Sequence, residues 1–160
     1  MDIDDREKSF LRKAIELAQA NVENGGRPFG AVVVKDGAII ATGVNEILST
    51  NDPTAHAELT AIRVASQKLG SARLDGCAVY ASGHPCPMCM AAMRLAGIGK
   101  VAYAYSNEDG APFGLSTAAI YEDLAKPFAE QSMAINHVPV RLEQGPDLYD
   151  GWKRRQAAKP

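Results

Sequence analysis

Residues able to bind a soft divalent metal fall into two short motifs, His56-Ala57-Glu58 and Pro85-Cys86-Pro87-Met88-Cys89. One neutral imidazole and two thiolates suit Zn²⁺, offset its charge and leave a fourth tetrahedral position for water. Zinc lowers the pKa of such a water from about 15.7 to about 7, which makes hydroxide available at neutral pH. Glu58, two residues past the imidazole, is close enough to move that water's proton without binding the metal. A lone histidine is usually a surface or core residue, and a lone C-x-x-C is often redox-active or structural. Both motifs together, with a proline before the first cysteine and the acid at this spacing, point to a catalytic zinc centre with one Zn²⁺ per subunit. A closed structural site would need a fourth protein ligand. Cys77 and His84 are the candidates, and Cys77, which opens an apolar run, reads better as core.

The elements around these motifs follow from periodicity. Between Asp4 and Asn24, Phe10, Leu11, Ala14, Ile15, Leu17, Ala18 and Val22 recur at helical spacing, and Gly25-Gly26 stops the pattern. Two apolar runs flank Lys35-Asp36-Gly37, whose Asp-Gly pair is the chemistry of a tight hairpin turn. A helix is expected from His56 to Leu69, ended by Gly70, and a strand over 77–82. Pro85 and Pro87 lead into a second helix that stops at Gly97, so both cysteines sit at a strand-to-helix junction. Lys100–Tyr105 reads as a fourth strand, 106–117 as a loop and 118–126 as a short helix. A fifth strand is expected over 137–142, and a closing helix over 147–156 with Tyr149 and Trp152 on its apolar side. The order implies a mixed sheet with helices on its faces.

The 160-residue chain suffices for one domain with a real core, so 1–160 is expected to form a single domain ending in a helical tail over 145–160. An acidic, amphipathic N-terminus lacks the features of a secretory signal, and there is no long apolar run, which argues against a membrane. Three cysteines, an odd number, fit a reducing cytoplasmic setting and metal binding better than a disulfide framework. A net charge of −2 gives no global attraction to a polyanion, which makes nucleic acid an unlikely partner apart from a local patch at Lys153, Arg154 and Arg155. A small molecule is favoured.

H-x-E with P-C-x-x-C is the signature of zinc nucleobase deaminases. With GRPFGAVVVKDGAIIATGVNEILSTNDPTAHAELTAIRVA, AYSNEDGAPFGLSTAAIYEDL and the terminal LYDGWKRR, nearly the whole chain resembles the cytidine deaminase superfamily, and within it the bacterial guanine deaminase branch. The resemblance implies an α/β protein, a three-layer α/β/α fold around a central mixed five-stranded sheet. It implies His56, Cys86 and Cys89 as zinc ligands and Glu58 as proton shuttle. Asn45 matches an asparagine that hydrogen-bonds the base, although a loop cap would also fit, and Phe29 matches an aromatic that lines the pocket, although core would also fit. The resemblance also implies the backbone N–H of Ala57 as a substrate contact, and Trp152 lies in a tail that in this branch can complete a neighbouring subunit's site. A homodimer, domain-swapped through that tail, is therefore implied.

Two departures bear on substrate. His84 stands where the family often has Glu, either as a pocket residue or as an incidental loop position. The later loop reads Gly114-Leu115-Ser116-Thr117 where guanine deaminases tend to carry acids, leaving Asp109 or Glu108 as substitutes. The expected reaction is hydrolytic deamination of a guanine-like purine, guanine giving xanthine and ammonia. The alternatives are a nucleoside, cytosine, a pterin or triazine, or tRNA adenosine as substrate, and, outside enzymes, a silent zinc-stabilised binding module.

Overall fold

The computed structural model describes residues 4–159. Its helices and strands, in chain order, are α1 (Asp5–Glu23), β1 (Gly30–Lys35), β2 (Ala38–Val44), α2 (Ile47–Thr50), α3 (Ala57–Leu69), β3 (Cys77–Gly83), α4 (Pro87–Ala96), β4 (Lys100–Tyr105), α5 (Asn107–Gly110), α6 (Ala118–Leu124) and α7 (Leu148–Ala157). The chain divides into two compact units, 1–125 and 126–160.

In the first unit, α1 begins in a capping box, Asp4 accepting from the Glu7 N–H while the Glu7 carboxylate accepts from the Asp4 N–H. The hairpin between β1 and β2 turns on Asp36 and Gly37, both with positive φ (50° and 74°), as a two-residue turn of right-handed twist requires. β1 lies between β2 and β3, antiparallel to both, and β4 runs parallel to β3 across the α4 crossover, giving the order β2-β1-β3-β4.

Strand register divides the side chains between two layers. Val32 and Val34 of β1 share a face with Tyr80 of β3 and pack with Phe10 of α1. Ala31 and Val33 share the other face with Val79 and Ala81, against Ala57, Ala61 and Ala65 of α3 and Met93 of α4. Val32, Val33 and Val79 are fully buried, each contributing about 1.5–3 kcal/mol of hydrophobic free energy. Two glycines let the layers meet closely. A Cβ on Gly30 would strike the backbone of Ala14 and Ala18 in α1, and one on Gly43 would lie 2.6 Å from the Ala61 nitrogen and against the Ala57 carbonyl of α3. The result is a three-layer α/β/α sandwich with α1 on one side and α3 and α4 on the other.

The sheet has four strands among the described residues, not five. Segment 137–142 makes no ladder: Val138, Val140 and Leu142 are exposed, and one short bond from the Val140 N–H to the Val138 carbonyl closes a local turn. Pro139 between them has no N–H to donate, which disfavours pairing on both sides. The second unit, to which this segment belongs, ends in α7, where Leu148, Tyr149 and Trp152 are exposed and Arg141 pairs with Asp147 at 3.6 Å. No helix among the described residues is long and apolar enough to cross a membrane.

Candidate metal centre and active site

The metal-binding types converge at two helix starts. His56 is the N-cap of α3 and Cys86 the N-cap of α4, with Cys89 one turn further on. An N-cap side chain normally accepts a backbone N–H bond, but neither His56 nor Cys86 does so, and both side chains are available for another partner. The cap positions also place the free N–H groups of each helix beside the cluster, where they favour thiolate over thiol.

The Cys86 Sγ lies 3.4 Å from His56 Nδ1 and 3.6 Å from Cys89 Sγ, and Cys89 Sγ is 3.6 Å from the same nitrogen. A tetrahedral Zn²⁺ with Zn–S of about 2.3 Å and Zn–N of about 2.0–2.1 Å spaces its ligand atoms by about 3.5–3.8 Å. The triangle therefore fits three corners of a zinc tetrahedron. No other group of three such side chains gathers among the described residues. Cys77 is packed in the core at the opposite end of β3, and His84 lies outside the triangle, so neither supplies a fourth ligand and one corner stays open.

Electrostatics within the triangle are divided. Cys86 is lowered to about 4 by its hydrogen bond with Cys89, helped by the one with His56, and so holds the negative charge at neutral pH. Its neighbour moves the other way: the Cys89 thiol is pushed up by its hydrogen bond with Cys86, by burial and by Glu58. The Cys86 hydrogen bond also raises His56. Glu58, only 4% exposed, takes a 3.0 Å hydrogen bond from the Cys89 thiol, and burial raises it above the usual carboxylate range. An acid raised by burial beside a metal triangle is suited to taking up and returning a proton near neutral pH.

A pocket of about 260 Å³ opens over these groups. Of the residues singled out in the sequence, Phe29, Asn45, Ala57 and His84 line it. Asn45 is buried, and its side-chain oxygen accepts from the Ile47 N–H at 3.1 Å, which leaves its NH₂ as the free end. Phe29 packs over Gly83, where a Cβ would come within 3.2 Å of its ring. Asp109 is not among the lining residues. Its carboxylate accepts from the Ser106 N–H and hydroxyl at 2.8 and 3.0 Å, capping α5, and it lines instead an adjoining cavity of about 1010 Å³. Trp152 belongs to the second unit, on an exposed apolar stretch with Leu148 and Tyr149.

Sequence reading missed three groups here. Arg27 and Ile120 line the pocket, and Asn21 donates to the Arg27 and Asn45 carbonyls at 2.7 and 2.9 Å, holding the two lining loops together. Arg27 lies two residues before Phe29, which the sequence had singled out. Asn21 carries no such signal, since its partners lie across loops.

The fold, the open zinc triangle and the buried acid define a zinc-dependent hydrolytic deaminase. Residues 4–105 match the family model of the cytidine and deoxycytidylate deaminase zinc-binding region, and the chain belongs to that family. It is 44% identical to a guanine deaminase of Bacillus subtilis over 91% of this chain and 93% of that one. The solved structure of a B. subtilis guanine deaminase superposes with a TM-score of 0.85 at 41% identity, covering 99% of this chain and 98% of that one. A tRNA-specific adenosine deaminase of Aquifex aeolicus is 41% identical over 59% of this chain and 63% of that one.

Proposed function

We propose that the protein deaminates guanine to xanthine, with water as co-substrate and ammonia as second product. The observation that carries this reading is the metal triangle with Glu58 at its edge, inside a chain that a guanine deaminase matches along nearly its full length. His56, Cys86 and Cys89 would hold Zn²⁺, which supplies a Lewis acid that makes water nucleophilic near pH 7.

This chain's own residues do the rest. Glu58 takes a proton as water oxygen bonds to the carbon bearing the exocyclic amine, and passes it to the adjacent ring nitrogen. It then delivers the second water proton to the amine, the carbon–nitrogen bond breaks and ammonia leaves. Burial supports this role, because a carboxyl raised toward neutrality can both accept and donate. The Asn45 NH₂ is placed to donate to a substrate acceptor, the Ala57 N–H opens α3 at the pocket wall, and the Phe29 ring supplies an apolar surface for a base.

The proposed assembly is a homodimer in which the tail over 145–160, with Trp152, completes a neighbouring subunit's site. Support comes from the exposed Leu148, Tyr149 and Trp152 of α7. A reducing cytoplasmic setting fits three cysteines that form no disulfide.

The test is ammonia release by zinc-loaded protein from guanine, beside guanosine, cytosine, cytidine, adenine and a tRNA anticodon stem-loop. Guanine should be turned over fastest, with xanthine as product. A stem-loop deaminated in preference, with affinity falling steeply in salt, would replace this reading with the tRNA one.

A further inference from the structure

Within the first unit the pocket over the metal triangle is lined by no carboxylate besides Glu58, so a substrate N–H that meets this unit's side chains must find a neutral acceptor. Four side chains of that kind line it, and of these two already have a lone pair engaged and a third is closed off. The Asn45 oxygen already accepts from Ile47, the Ser116 hydroxyl accepts from the Ala118 N–H at 3.2 Å, and the Thr117 hydroxyl, though unpartnered, is shut away. The fourth is His84.

His84 is held from several directions. Its backbone N–H donates to the Tyr105 carbonyl at 2.8 Å, and its ring stands edge-on to Tyr103 and Tyr121, with centroids 4.7 and 5.3 Å away. Its Nδ1 lies 3.0 Å from the Pro85 carbonyl oxygen, which also accepts from the Tyr121 hydroxyl. A carbonyl can only accept, so that contact requires the proton on Nδ1. The Asn107 NH₂ also approaches Nδ1, at 3.4 Å, but its amide is turned that way by its oxygen, which accepts from the Thr117 N–H. The shorter carbonyl contact decides the tautomer. With Nδ1 protonated, Nε2 is a bare acceptor, and it has no hydrogen-bond partner among the described residues. The ring lines both the 260 Å³ pocket and the larger cavity beside it.

We propose that His84 determines substrate specificity: its bare Nε2 accepts a hydrogen bond from a ring N–H of the substrate, a role for which this pocket offers no carboxylate. The inference rests on the site binding a guanine-like base. It narrows the substrate class to amino-heterocycles that present a ring N–H to a neutral acceptor, since a site built around one hydrogen bond discriminates against an analogue that cannot make it.

Two readouts separate this proposal from the choice of guanine. The first needs no substrate: ¹⁵N NMR of the zinc-loaded protein, with its three histidines assigned through His84→Asn, should find the His84 proton on Nδ1 and Nε2 unprotonated. A proton on Nε2 overturns the proposal whatever the substrate. The second compares guanine with its 1-, 7- and 9-methyl derivatives, each lacking one ring N–H. Wild type should lose about tenfold or more in kcat/KM on one of them. His84→Asn, which keeps a donor near Nδ1 and lacks the acceptor, should lose that discrimination while retaining zinc, and His84→Gln, with an amide oxygen near the Nε2 position, should restore part of it. Identical profiles in wild type and His84→Asn overturn the proposal. No turnover of guanine by zinc-loaded wild type would overturn the choice of guanine, while the NMR result still decides the state of His84.

Discussion

At the scale of single residues, the metal triangle is a set of protons waiting to be displaced. Cys86, held near 4, is already a thiolate at neutral pH and gives up nothing when zinc binds. Cys89 is raised by its hydrogen bond with Cys86, so it carries a proton that the metal must expel, and the Cys86 hydrogen bond raises His56 as well. The sign follows: lowering the pH favours the protonated, metal-free state, and apparent zinc affinity should rise with pH across the neutral range. Calorimetry in two buffers of different ionisation enthalpy should detect at least one proton released per zinc at pH 7. Binding without proton release would show that Cys89 is ionised beforehand. Glu7 shows the same economy away from the site. Its carboxylate caps α1, accepts from the Tyr80 hydroxyl at 2.9 Å and pairs with Lys100, joining α1 to β3 and β4. Glu7→Ala should cost about 2 kcal/mol in denaturant unfolding and leave zinc content unchanged; no loss would mean that solvent replaces these bonds.

At the scale of elements, the site depends on where α3 and α4 begin. Gly43 sets the first of these, because only a residue without Cβ lets α3 lie against β2. Gly43→Ala should destabilise the fold by about 1–3 kcal/mol and weaken zinc retention as well, since α3 carries His56 and Glu58. Unchanged zinc content in a destabilised variant would show that the N-terminus of α3 is held by its entry loop instead. There Asp52 accepts from the Thr54 N–H and hydroxyl at 2.9 and 2.7 Å, a turn whose geometry leads directly to His56. Most of this frame was legible in the sequence. Helix stops at Gly70 and Gly97 and the Asp36-Gly37 turn are local chemistry, and both glycine stops take up the left-handed conformation. The metal ligands were legible because their spacing is itself chemical information. Non-local contacts were not legible: Asn21 ties the Arg27 and Asn45 loops together across 24 residues. Two local ones were passed over, the Ser106-to-Asp109 capping box that turns Asp109 back onto α5 and the Pro85 carbonyl that faces the His84 ring. The alternation of Val138, Val140 and Leu142 suggested a strand, but a strand needs a partner as well as a pattern, and Pro139 weakens any ladder.

At the scale of the whole molecule, the exposed apolar residues of α7 are an incentive to associate. Sedimentation velocity of the zinc-loaded protein should give a homodimer at micromolar concentration, and Trp152→Ala should lower guanine turnover. A monomer with full activity would show that the tail takes no part in the site. The proposed role of Glu58, moving the protons of a zinc-dependent hydrolysis, is tested by guanine turnover in Glu58→Gln, with zinc content measured on the same sample. Glu58→Gln should be a folded protein with full zinc and a rate lower by about 10²–10⁴-fold, the usual worth of a positioned acid–base group. Zinc-loaded Glu58→Gln that turns over guanine at the wild-type rate would contradict it.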